Sequence, residues 1–301
     1  MIQLERVTKL HGGVAAVDGL SLVMPAGKIT VLLGPSGCGK STTLRMINRL
    51  IAPDSGTLRV AGEDITALEP TTLRKRIGYA IQGVGLFPHW TVARNVGAVP
   101  ALLGWTPARI AARVDEMLRL VDLPPQAFGR KRPAELSGGQ AQRVGVARAL
   151  AADPDVMLMD EPFGALDPVT RRDLQAALRK IQRSTGKTIV FVTHDIDEAL
   201  LMGDQVAVLR KGQLVQVGTP LDMLERPADE FVSSFFGGQA AGLRKLSLLP
   251  ASSRAEAGDQ PWVMLPAGAS LRDALDLMLA RGVDQVGLPE GGVVRLSGMV
   301  G

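Results

Sequence analysis

The nine residues Gly34-Pro35-Ser36-Gly37-Cys38-Gly39-Lys40-Ser41-Thr42 restrict this chain more than any other stretch. They fit the phosphate-loop pattern G-x-x-x-x-G-K-[ST], which has meaning only between a strand and a helix. The flanks supply that setting. Ile29-Thr30-Val31-Leu32-Leu33 is an apolar, β-branched run, and Leu44, Met46, Ile47 and Leu50 suit one face of a helix. Gly34, Gly37 and Gly39 let backbone N–H groups close around phosphate oxygens with no Cβ in the way. The following helix points its positive end at the same anion. Lys40 can reach β- and γ-phosphates, and the Ser41 hydroxyl can ligate Mg2+. The whole loop, Gly34 to Thr42 with Pro35, Ser36 and Cys38 included, is therefore the first candidate binding site.

Further along, strands alternate with helices. Ile77–Ile81, Val156–Asp160, Thr188–Val192 and Gln205–Leu209 read as strands. Helices are expected over about 108–120, from Ser137 to about Ala151, and from Pro168 to about Arg183. The alternation predicts an α/β fold with a mainly parallel sheet covered on both faces, plus antiparallel N-terminal strands around 2–7 and 20–24. Ligands of such sheets lie outside the carboxyl ends of the strands. Three suspect sites follow directly on strand-like runs: the loop at 34–42, Asp160-Glu161, and His194. Asp160 ends an apolar strand, where a phosphate-loop enzyme holds its Mg2+ carboxylate. Glu161 places a second carboxylate in the same cleft, suited to an attacking water.

Composition narrows the function. Of 301 residues, 46% are apolar and 21% charged, an ordinary soluble mixture. A net charge of +4 and 4% aromatic content give no argument for nucleic acid, because stacking platforms for bases are scarce. The single cysteine, Cys38, excludes an intrachain disulfide. Glu5, Arg6 and Lys9 interrupt the N-terminus, so no secretory signal is expected. No run reaches the ~18 apolar residues needed to cross a bilayer.

Leu136-Ser137-Gly138-Gly139-Gln140 gives these pieces a family. With the loop at 34–42, Gln82 after a strand, VMLMDE at 156–161, Ala165-Leu166-Asp167 and His194, in that order, the chain over about 1–236 resembles the ATP-binding subunit of an ABC transporter. The resemblance implies a phosphate-loop ATPase domain at 1–236, with a helical signalling subdomain at about 83–153. It implies that Lys40 binds the β- and γ-phosphates and that Ser41, Gln82 and Asp160 serve Mg2+. Glu161 polarises the attacking water, His194 contacts the γ-phosphate, and Gln82 also links to the membrane partner. ATP and Mg2+ are the implied cofactors. Ser137, Gly138, Gly139 and Gln140 form a second anion site, redundant within one subunit. The resemblance implies that it closes on the ATP of a second copy, head to tail, with Asp167 at the dimer seam. The family usually carries an aromatic residue that stacks on adenine. Here His11 stands at that place, with Val17 expected to pack on the same base.

The segment Ile77–Ala108 is almost uncharged, with Gly83–Val92 apolar and aromatic. The resemblance makes Gln82–Asn95 the surface that meets membrane-spanning permease subunits, and only indirectly a solute-binding protein. It places the chain peripherally on the cytoplasmic face of the inner membrane. RIGYAIQGVGLFPHWTV is similar to the importer branch for osmoprotectants such as glycine betaine, choline or proline betaine. An importer for another solute such as an amino acid is the alternative reading; a soluble non-transport ABC ATPase is a remote one, disfavoured by the single phosphate loop. Residues 237–262 read as a linker. Residues 263–301 resemble one CBS repeat, a regulatory or dimerisation segment, with a capped helix beginning at Ser270.

Overall fold

The computed structural model describes residues 1–299 apart from 82, 84, 165, 238–240, 257 and 259–262. Alternating apolar residues build the first hairpin. β1 (Ile2–His11) and β2 (Val14–Met24) bury Ile2, Leu4, Val7, Leu20, Leu22 and Met24 on one face. β3 (Ile29–Leu33) is buried at every position and runs through the phosphate loop into α1 (Lys40–Ile47). β4 (Ser55–Val60) and β5 (Glu63–Asp64) extend the hairpin into an antiparallel sheet of order β2-β1-β4-β5.

Next come α2 (Pro70–Lys75), β6 (Ile77–Ala80), α3 (Val92–Val96), α4 (Ala98–Leu102), α5 (Pro107–Leu120), α6 (Pro125–Phe128) and α7 (Gly138–Ala151). Helices α3 to α5 pack on α7, whose buried face is mostly Ala, Gly and Val, so the neighbours approach closely. Then follow β7 (Val156–Asp160), α8 (Pro168–Thr185), β8 (Thr188–Val192), α9 (Ile196–Met202), β9 (Gln205–Arg210) and β10 (Gln213–Gly218). The central sheet has the order β10-β9-β3-β8-β7-β6, and its pairs from β9 to β6 are parallel. β3, β7 and β8 are buried throughout, as parallel strands covered on both faces must be.

By compactness the chain falls into two units. One compact unit comprises Met1–Asp195 and Met202–Val217; the second comprises Ile196–Leu201 and Gly218–Gly301. In the second unit lie α10 (Pro220–Glu225), α11 (Glu230–Phe236), α12 (Ala241–Leu248), α13 (Leu271–Arg281), β11 (Gln285–Gly287) and β12 (Val293–Arg295). The stretch read as a linker contains α12 and a 3-10 turn over Ala251–Arg254. Leu246, Leu249 and Ala251 pack into the same core as Leu265, Leu271, Met278 and Val286. The Pro, Ser and Gly residues hid an apolar spacing that buries one side of this segment. α13 carries the expected capping box between Ser270 and Asp273.

Candidate nucleotide site

Register brings the three suspect segments to one level. Leu32 pairs with Val192, and Val192 pairs with Asp160. The chain leaves β3, β8 and β7 at neighbouring points on one sheet edge. Hydrogen bonds lock the exits together: Glu161 N donates to Val192 O at 3.0 Å, and Thr193 N to Leu32 O at 3.3 Å.

The phosphate loop has left-handed backbone at Gly34, Gly37 and Gly39, and at Gly34 and Gly39 a side chain would also clash. Gly34 has φ +149°, and a Cβ there would lie 2.1 Å from Leu209 O. Gly39 has φ +106°, with Ala16 O 2.4 Å from the same point. Lys40 is 7% exposed. Its Nζ donates to Gly34 O at 2.6 Å and Pro35 O at 2.9 Å, so the ammonium sits against its own loop. Cys38 is buried beside it, and burial pushes the thiol pKa up, which makes this cysteine a packing residue rather than a nucleophile.

Ser41 Oγ donates to Asp160 Oδ1 at 3.0 Å. Asp160 is 2% exposed, and its carboxyl titrates above the ordinary range. Burial is the main cause; the Ser41 hydrogen bond opposes it and the Glu161 charge adds to it. A carboxylate charge held at that cost suits a cation partner. Among the described residues no three His, Cys, Asp or Glu side chains lie close enough to hold a metal by themselves. A hard cation here would therefore take oxygen ligands from Ser41 and Asp160 and the remainder from phosphate and water.

The raised pKa fixes a sign. Protonated Asp160 is favoured by folding, so its contribution is present below the ordinary aspartate range and is lost as pH rises through the raised value. Asp160→Asn is expected to stabilise the nucleotide-free protein by roughly 1 kcal/mol at pH 7, a rise of about 2–4 °C in Tm. The difference should shrink toward pH 4. Thermal unfolding at both pH values checks this, and a lower Tm for the variant at pH 7 would count against it.

Glu161 is half-buried with its backbone left-handed at φ +49°. Its Oε1 lies 3.1 Å from Nδ1 of His194, whose side chain is mostly exposed. The two side chains therefore meet at the sheet edge, a contact the sequence did not announce. Gln142, which nothing in the sequence singled out, donates from Nε2 to Glu161 O at 2.8 Å. Gln142 lies two residues past the five-letter string, and only the packing of α7 brings it to the end of β7.

Ser137 caps α7: its Oγ accepts from Gln140 N at 3.2 Å, while Gln140 Oε1 accepts from Ser137 N at 3.1 Å. Ser137 and Gly138 are exposed, so the N-terminus of α7 is open to a ligand. His11 is also exposed, at the end of β1. Two expectations change, at Val17 and at Asn95. Val17 is 1% exposed and belongs to the core beneath Gly39, not to a surface a base would cover. Asp167 is exposed and is the N-cap of α8, accepting from Val169 N and Thr170 N at 3.1 and 3.0 Å. A hydrogen bond from the Thr170 side chain, joined by those from the backbone, holds its carboxyl below the usual range. Asn95, placed on the partner surface, is fully buried and clasps Phe87 N, Phe87 O and Thr91 O instead. It shapes the loop that presents Phe87, which is 43% exposed, and Trp90, stacked with Phe87 at 4.3 Å. Gln82 and Ala165 lie outside the described residues.

Comparison with known proteins agrees with this geometry. A family model described as ABC transporter matches residues 17–164. Over 287 residues the chain is 52% identical to the glycine betaine uptake system ATP-binding protein YehX of Escherichia coli (strain K12), covering 94% of this chain and 92% of that one. It is 47% identical to the glycine betaine/carnitine/choline transport ATP-binding protein OpuCA of Bacillus subtilis (strain 168), covering 95% of this chain and 74% of that one. Among solved structures, a dimeric ATP-binding cassette in a post-hydrolysis state with ADP and Pi matches with a TM-score of 0.68. The identity there is 32%, over 73% of this chain and 99% of that one.

Proposed function

This chain belongs to the ABC transporter family, and we propose on that premise that it energises import of a quaternary-amine osmoprotectant such as glycine betaine. It is an ATP-binding, ATP-hydrolysing subunit. The hydrolytic part of the reading is carried by the single sheet edge on which Lys40, Ser41, Asp160, Glu161 and His194 gather, and the solute by the 52% identity to a glycine betaine uptake ATP-binding protein. Lys40 exchanges its contacts with Gly34 O and Pro35 O for β- and γ-phosphate oxygens. Ser41 and Asp160 would hold Mg2+, which when bound neutralises charge on those oxygens. Glu161 orients a water and accepts a proton from it as the water oxygen bonds to the γ-phosphorus and the bond from that phosphorus to the β,γ-bridging oxygen breaks, releasing ADP and phosphate. His194 steadies that carboxylate through the contact of 3.1 Å and faces the γ-phosphate.

Two copies pair head to tail, so that the exposed N-terminus of α7 in one meets the ATP of the other. ATP favours the closed pair and hydrolysis releases it. The loop carrying Phe87 and Trp90 meets a membrane-spanning permease. No helix among the described residues is long and apolar enough to cross a membrane, which suits a peripheral subunit at the cytoplasmic face. The segment around α13, β11 and β12 is a CBS-like regulatory or dimerisation piece.

His11 is expected to stack on adenine with less area than a tyrosine would offer. His11→Tyr should tighten ATP binding by about 3- to 10-fold, the worth of roughly 0.5–1.5 kcal/mol of aromatic contact. Titration of both proteins with ATP checks this; equal affinities would remove His11 from the base site.

The solute is tested by uptake of labelled glycine betaine in cells carrying this chain with its permease and receptor subunits. Uptake is expected to depend on this chain and to fall with excess unlabelled choline but not methionine. Methionine competition, or uptake indifferent to this chain, would assign another solute.

A further inference from the structure

One helix touches both the catalytic carboxylate's backbone and the loop that precedes Phe87. Near the start of α7, Gln142 Nε2 donates to Glu161 O at 2.8 Å. Near its end, Arg148 Nη1 donates to Gly85 O at 2.7 Å. Each target is a backbone oxygen in a segment without regular structure, and each residue carries left-handed φ of +49°. The turn at Gly85 is closely packed: a Cβ there would lie 2.1 Å from Ile81 Cδ1 and 3.6 Å from Arg148 Nη2. Arg148 is half-buried, and burial lowers its guanidinium pKa. A cation in that position needs a fixed acceptor, and Gly85 O is one.

The helix between the two grips is stiff. Val144, Gly145, Val146 and Ala147 are all buried. Both ends are also tied to α5. Arg113 of α5 donates from Nε to Ala151 O at 3.1 Å and from Nη2 to Leu150 O at 3.0 Å. Arg143 of α7 donates from Nη1 to Val121 O at 3.2 Å and Asp122 O at 3.0 Å. Carbonyls left over at each helix end are thereby satisfied by an arginine of the other helix. α5 and α7 form one block, within which positions 142 and 148 stand about 9 Å apart along the axis.

We propose that α7 is a coupling bar, with Arg148 as the positioning residue that grips the permease-facing loop at Gly85 and Gln142 as the one that holds Glu161. A push on the loop shifts the bar, and the bar changes how the backbone of Glu161 is held. The proposal rests on the reading of the Gln82–Asn95 region as the permease-facing surface. It gives the loop a route to the hydrolytic carboxylate that runs through the same helix whose N-terminus faces the second copy's ATP.

The test uses the assembled transporter in lipid vesicles, with receptor and glycine betaine, and measures basal hydrolysis, solute-stimulated hydrolysis, and uptake. Arg148→Met is expected to keep basal hydrolysis and the KM for ATP within about twofold while stimulated hydrolysis and uptake fall about tenfold. Arg148→Lys keeps a charge and a donor and is expected to retain part of the stimulation. Gly85→Ala moves the acceptor without altering α7 and is expected to show the same split as Arg148→Met. These two carry the test if Arg148→Met does not fold. Gln142→Leu is expected to lower kcat about tenfold with KM unchanged, in basal and stimulated hydrolysis alike. Full stimulation in both Arg148→Met and Gly85→Ala would overturn the proposal and leave the transporter reading intact. So would parallel loss of basal and stimulated hydrolysis in every position-148 variant, which would mark Arg148 as a packing residue. Absence of stimulation in the unsubstituted complex would instead overturn the reading on which the proposal rests.

Discussion

Glu161→Gln is expected to lower ATP hydrolysis by about 10²- to 10⁴-fold while leaving ATP binding intact. Glutamine matches the shape of glutamate, so the left-handed backbone and its bonds to Val192 O and Gln142 Nε2 persist. The amide oxygen can still accept from Nδ1 of His194. What disappears is the negative charge that orients the water and takes up its proton. The same charge raises the carboxyl pKa of Asp160. Its removal makes ionised Asp160 easier to hold, so Mg2+ and ATP should bind at least as well. Binding without hydrolysis should accumulate the closed pair. Steady-state hydrolysis and gel filtration with ATP check both parts. A variant retaining more than about a tenth of the rate would show that another group serves the water.

Lys40→Ala is expected to weaken ATP binding by roughly 10- to 150-fold, since a hydrogen bond to a charged group is worth about 1.5–3 kcal/mol. Lys40 Nζ is the buried cation of the loop. Lys40→Arg should rescue little, because a planar guanidinium does not replace a compact ammonium packed against Gly34 O and Pro35 O. The readout is the thermal shift produced by ATP, which follows ligand concentration over Kd. Loss of the shift with the unliganded Tm nearly retained is the expected pattern. An unchanged ATP shift would remove Lys40 from the phosphate site.

The phosphate loop and the two carboxylates were legible because short-range signals set them. Buried parallel strands read as unbroken apolar runs, and the residues that follow such runs must gather at one sheet edge. The register of Leu32, Val192 and Asp160 only places them at a common height. Side-chain bonding was harder to read. Asn95 lies in an apolar, aromatic stretch that looks like surface, yet four inward bonds to Phe87, Trp90 and Thr91 make it the clasp of that loop. Asp167, just before Pro168 at the first position of α8, is also the cap of that helix. Gln142 and Arg148 were silent because their partners are backbone oxygens 19 and 63 residues away. No local pattern encodes such contacts. The packing of Leu246 and Leu249 was hidden because they sit among residues whose composition reads as linker.

The central claim is that ATP hydrolysis at Glu161 drives solute across a membrane. The most direct measurement is accumulation of labelled glycine betaine by vesicles holding the assembled complex, with ATP supplied on the side of this chain. ATP-dependent accumulation that vanishes in Glu161→Gln, with ATP binding retained, is the predicted result. Accumulation that persists in Glu161→Gln would contradict it, as would sustained hydrolysis with no solute moved.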